Sequence, residues 1–169
     1  MMKKFRTQRG FTLLLAALVA SIVLALGSSI FTIARKQVTL SSLGRDSQFA
    51  FYAADTGAEC ALYWDIRHAA FGDTVPATAP SCAGQVLGEV VTVGARSAAP
   101  YTIEFDMDLF VDADGVAGTF DDDGYCARVS ITKNTDNPFT VIRSDGYSTA
   151  CATTDTSARA LQRSVQLQY

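Results

Sequence analysis

Residues Phe11 to Ala34 read FTLLLAALVASIVLALGSSIFTIA, 24 consecutive positions without an Asp, Glu, Lys or Arg. As a helix at ~1.5 Å per residue this run spans roughly 36 Å, enough to cross the ~30 Å hydrocarbon core of a bilayer with some tilt. Arg35 and Lys36 close it on one side. On the other side stands a basic decapeptide, Met1 to Gly10, carrying Lys3, Lys4, Arg6 and Arg9 and no acid. A secretory signal peptide has an apolar region of about 7–15 residues ending in a small-x-small site. The run here is longer and is separated from its charged leader by a lone Gly10. Because basic flanks are retained in the cytoplasm, everything after the helix is expected outside.

The junction Gln8-Arg9-Gly10-Phe11-Thr12-Leu13 resembles the prepilin processing site of type IV pilins and type II secretion pseudopilins. The resemblance implies that a prepilin peptidase cuts between Gly10 and Phe11 on the cytoplasmic side and N-methylates the new terminal Phe11. The fifth residue of the mature chain is then Leu15, where most pilins carry Glu. That Glu is thought to neutralise a neighbouring subunit's terminal ammonium inside the membrane, where an unpaired charge is costly. Its absence is similar to the pattern of PilX-like minor pilins and K-type minor pseudopilins. It implies a low-copy subunit at or near a filament tip.

The stretch Ser47 to Glu59, SQFAFYAADTGAE, resembles the second half of the long helix in PilX-like minor pilins. Phe49, Tyr52, Thr56, Cys60, Tyr63 and Arg67 recur at steps of three and four and define one face of an amphipathic helix. The expected organisation is a cleaved leader at 1–10, a transmembrane and assembly helix at 11–35, an amphipathic continuation at 36–70 and an extracytoplasmic β-rich domain at 71–169.

Beyond His68 the periodicity changes. Tyr101, Ile103, Phe105, Met107 and Leu109 alternate with Thr102, Glu104, Asp106 and Asp108, which predicts a half-buried strand. Tyr125, Ala127, Val129 and Ile131 repeat the pattern, as do Leu161, Val165, Leu167 and Tyr169. Val86 to Val93 and Phe139 to Ile142 are weaker strand candidates. One-sided alternation indicates an antiparallel sheet covered on one face, and the long helix is the natural cover. The expected fold class is α+β, the ladle of the type IV pilins.

The four cysteines, Cys60, Cys82, Cys126 and Cys151, all follow the apolar run and include no C-x-x-C pair. An even count in an exported chain reads as disulfides. Of three possible pairings, Cys60 with Cys82 and Cys126 with Cys151 is favoured, since sequence neighbours would close the helix-to-sheet loop and the late strands. Zinc would need tighter ligand spacing, and the single histidine, His68, reads as a surface residue at the helix end.

Seven carboxylates fall within 18 residues, Asp106, Asp108, Asp112, Asp114, Asp121, Asp122 and Asp123, interleaved with Gly115, Gly118 and Gly124. Calcium takes six to eight oxygens from flexible turns, so Asp112, Asp114, Asp121 and Asp123 are candidate ligands for Ca2+. The segment departs from the EF-hand pattern at Val116, and a solvated acidic turn is the competing reading. Calcium binding by K-type pseudopilins favours the ion by resemblance.

No Ser-His-Asp arrangement, Gly-rich phosphate loop or metal-hydrolase motif is present, so an enzyme is not expected. Loss of the four leader bases would take the formal charge from −3 to about −7, which argues against nucleic acid as a direct partner. The partners implied by the resemblance are other pilin or pseudopilin subunits, the prepilin peptidase and, before assembly, the inner membrane. From there the subunit would pass to a pilus at the cell surface or a pseudopilus in the periplasm. Two functions are open: a minor pilin or pseudopilin promoting assembly, adhesion or secretion, and a membrane-anchored extracytoplasmic binding domain that never enters a fibre.

Overall fold

The computed structural model describes residues 9–74, 76, 78–87, 91–93, 95–109 and 124–169. A single helix, α1, runs Arg9–His68. It contains no proline, and leucine and alanine, both strong helix formers, dominate its first half. It ends where Ala69 turns left-handed at φ 48°. The Ala69 and Ala70 amides then donate to the carbonyls of Asp65 and Trp64, both at 3.1 Å, capping the last turn.

The strands follow in the order β1 (Ser81–Cys82), β2 (Gln85–Val86), β3 (Val91–Val93), β4 (Tyr101–Leu109), β5 (Tyr125–Lys133), β6 (Thr140–Tyr147) and β7 (Gln162–Gln168). β1 and β2 form a small hairpin through Ala83 and Gly84, both at positive φ, as a tight two-residue turn requires. The other five make one antiparallel sheet in the order β3-β4-β5-β6-β7. The fold is α+β.

The chain divides after Leu43 into two compact units. In the second, residues 44–68 of α1 cover one face of the sheet. Ile103, Phe105 and Met107 of β4, Val129 and Ile131 of β5 and Ile142 of β6 point to that face and are buried, together with Ala61 and Phe71. Phe71 stacks on Phe105 with ring centroids 5.8 Å apart, and the Tyr101 hydroxyl donates to the Phe71 carbonyl at 3.0 Å. At the other end of the contact, Phe49 stacks on Tyr125 at 4.5 Å.

The buried helix face differs from the one its aromatic spacing predicts. Ala50, Ala53, Ala54, Ala58 and Ala61 are buried, and so is Gly57. Tyr52 and Tyr63 are 62% and 54% exposed, and Arg67 is exposed as well. Close approach is the reason. A Cβ added at Gly57 would meet Ser144 Oγ at 2.5 Å and Val129 Cγ2 at 2.9 Å, and one at Gly146 would collide with the backbone of Ala50 and Ala54. Only small side chains fit that separation, so Tyr52 and Tyr63 are turned outward, while Phe49 and Cys60 of the expected face still pack, on Tyr125 and in the disulfide to Cys82.

The same crowding explains why β6 extends to Tyr147, beyond the expected Phe139 to Ile142. Its inward positions Ser144 and Gly146 are small rather than apolar, so the alternation fades while the pairing continues. The expected strand at Val86 to Val93 splits between the hairpin and the edge of the larger sheet.

Candidate functional site: the exposed apolar helix

From Phe11 to Leu43 every side chain of α1 is exposed, with Leu13, Leu24 and Val38 each at 72%. A monomeric soluble protein rarely presents a continuous apolar surface of this extent. This helix is long and apolar enough to cross a membrane. Four of its hydroxyls bond back into the preceding turn, as do those of Thr39, Ser42 and Thr56 farther along α1. Ser21 donates to the Leu18 carbonyl at 2.8 Å, Ser28 and Ser29 both donate to Ala25 at 2.9 and 3.0 Å, and Thr32 donates to Ser28 at 2.9 Å. Hydroxyls bonded back into the preceding turn need no water, which lowers the cost of placing them in hydrocarbon. At the end of the run the Arg35 guanidinium lies over the Phe31 ring, 5.6 Å from its centre.

Gly10 lies in the first turn of α1, Phe11 beside it is 68% exposed, and Leu15 is 53% exposed. The expected leader, apart from Arg9 and Gly10, lies outside the described residues. So do all four candidate calcium ligands, Asp112, Asp114, Asp121 and Asp123.

The described members of the acidic group have protein partners. Asp108 accepts the Cys151 amide at 2.8 Å, and Asp106 lies 3.5 Å from Arg128. Arg128 is the centre of this outer-face cluster. Its guanidinium donates to both Asp155 oxygens at 3.0 and 3.1 Å and to Thr154 Oγ1 at 2.8 Å, and lies over the Tyr147 ring at 5.6 Å. The hydrogen bond from Arg128 holds the Asp155 carboxyl below the usual range. Cys126 joins Cys151 across a Cα separation of 4.7 Å, clamping this loop to β5, while Cys60 joins Cys82 at 6.0 Å, tying the β1–β2 hairpin to α1. These are the two favoured pairs.

A second polar cluster escapes sequence reasoning. Asp65 on the buried face of α1 accepts from Lys133 Nζ on β5 and from the Tyr169 hydroxyl, and Lys133 also donates to Thr140 Oγ1 at 3.0 Å. Burial, and then the neighbouring Asp65 carboxylate, push the Tyr169 phenol far up. A carboxylate four residues beyond Ala61 on the small-residue face was the one available signal, and it names no partner. His68 is exposed, its ring 4.4 Å from Trp64 and 5.3 Å from Tyr63.

No protein-family model, curated protein or solved structure matches the chain.

Proposed function

We propose that this chain is a minor subunit of a type IV pilus-like filament, made as a prepilin-type precursor. Its first helix would hold it in the inner membrane before serving as the contact with other subunits. The carrying observation is the fully exposed, charge-free helix from Phe11 to Ala34, preceded by a basic leader that ends in Gly10. Such a helix needs an apolar surrounding, which lipid supplies first and neighbouring helices later. The internally bonded hydroxyls support both surroundings, and the two disulfides support an oxidising compartment for the domain.

Leu15 supports a low copy number. A subunit repeated along a fibre would leave each neighbour's terminal ammonium unpaired in the membrane. At the tip no subunit lies ahead, and the omission costs little.

Mass spectrometry of the mature N-terminus tests the reading. The expected result is a chain beginning at N-methylated Phe11, with Gly10→Val retaining the leader and absent from sheared filaments. A chain that keeps its leader and stays in the membrane fraction would instead identify a tethered extracytoplasmic domain. Quantitative proteomics of purified filaments should place this subunit far below a Glu-bearing major pilin.

A further inference from the structure

A helix standing in water keeps its turns mainly through packing, and propensity alone rarely holds it. α1 has support in two sections. The charge-free run Phe11 to Ala34 calls for an apolar surrounding, and from Ala50 onward the small-residue face is buried against the sheet. Gln37 to Arg45, QVTLSSLGR, lies between them with every side chain exposed. At ~1.5 Å per residue this segment is roughly 14 Å long. The division of the chain into two compact units, after Leu43, falls inside it.

The segment is poorly made for a free-standing helix. Val38, Thr39, Ser41, Ser42 and Gly44, five of its nine residues, rank low in helix propensity. No acid stands between Arg35 and Arg45, so no ion pair three or four residues apart supports these turns. The contact of Arg45 with Asp46 at 3.8 Å joins adjacent residues. Thr39 Oγ1 donates to the Arg35 carbonyl at 3.1 Å and Ser42 Oγ to the Thr39 carbonyl at 2.8 Å, a back-bonding that competes with the helical ladder.

Gly44 has no packing reason to be glycine. A Cβ there would meet nothing within 4 Å, whereas Gly57 and Gly146 are pressed by their neighbours. Gly27 is equally open, but it lies inside the charge-free run, where an apolar surrounding penalises every broken backbone hydrogen bond. Around Gly44 water would satisfy the freed groups, and that penalty vanishes.

We propose that residues 37–45 form a joint in α1. In the membrane-held chain this segment opens and recloses in water, while the charge-free run and the docked half of the helix stay closed. The joint frees the domain from the direction of the run without unpacking its sheet. The inference rests on the membrane-held state proposed above.

Hydrogen exchange of the full chain in phosphatidylcholine nanodiscs, read by mass spectrometry, tests it. The amides of residues 40–45 should exchange at least about tenfold faster than those of 15–34 and of 50–61. Ser41→Ala, Ser42→Ala and Gly44→Ala combined alter only exposed positions and should slow the 40–45 exchange roughly tenfold through helix propensity, with 50–61 unchanged. All native cysteines are in disulfides, so spin labels at Gln37→Cys and Gln48→Cys attach selectively. Their distance distribution should be broad, and the triple variant should narrow it. Protection of 40–45 equal to that of 50–61, with 15–34 also protected, would overturn the joint and leave the membrane-held reading standing. Rapid exchange throughout 15–45 would overturn both. An exchange rate unchanged in the triple variant would remove these residues as the cause of opening and overturn the proposal.

Discussion

Asp65 on α1 and Lys133 on β5 form an ion pair across 68 residues of sequence, with side chains only 5% and 19% exposed. Around it, Tyr169 donates to the same Asp65 oxygen and Thr140 accepts from Lys133. Thr140 and Tyr169 are themselves a backbone-bonded pair. α1, β5, β6 and the residue after β7 therefore meet at one charge pair, close to the end of α1.

Removing one partner of a buried ion pair leaves the other uncompensated, which costs about 3–5 kcal/mol. Asp65→Ala and Lys133→Met are each expected to destabilise the domain by that amount in denaturant unfolding followed through Trp64, the single tryptophan. Asp65→Leu combined with Lys133→Met should recover most of the loss. If the singles and the double lose equally, packing rather than charge holds this corner.

The Tyr169 phenol is raised above its ordinary value of 10.0 by burial and by Asp65. In the folded state it keeps its proton after the unfolded chain has released it. Its stabilisation is thus complete below about pH 10 and declines as pH rises from there. Tyr169→Phe should flatten this alkaline limb, at a cost of about 1–2 kcal/mol near neutrality for the lost hydrogen bond. A pH series of melting curves on both proteins checks the sign.

Gly146→Ala would drive a methyl group into the backbone of Ala50 and Ala54, an overpacking expected to cost about 1–3 kcal/mol or more. Gly57→Ala meets side chains instead, chiefly Ser144 Oγ, and gains about 1 kcal/mol of helix propensity. Its net effect should be smaller. Ser144 Oγ is buried without a hydrogen-bond partner among the described residues, so Ser144→Ala should be neutral or stabilising by about 1 kcal/mol. It should also relieve Gly57→Ala in a double-mutant cycle.

The two disulfides close separations of 22 and 25 residues, for which loop entropy predicts about 3 kcal/mol each. Replacing Cys126 and Cys151 by alanine should leave the loop partly anchored through Arg128 and Asp108. Replacing Cys60 and Cys82 leaves the small hairpin with the Trp64 Nε1 bond to the Ser81 carbonyl at 2.9 Å. Hydrogen exchange should therefore rise more around β1 and β2 than around residues 151–155.

What the sequence alone determined is whatever rests on local periodicity and composition. A charge-free run of 24 residues forms a helix long and apolar enough to cross a membrane, and β4 and β5 announce themselves because one face is apolar and the other wet. The two cysteine pairings followed from proximity along the chain. Tertiary structure decided the rest. The helix face that packs is the alanine and glycine face, because the helix sits too close to Val129, Ser144 and Gly146 for Tyr52 or Tyr63 to be accommodated. β6 hides its inward pattern for the same reason. Asp65 finds Lys133, and Arg128 finds Asp155, only when strands distant in sequence are brought into register. Such partners are selected by geometry across the fold, and a one-dimensional pattern of hydrophobic and polar residues does not encode that geometry.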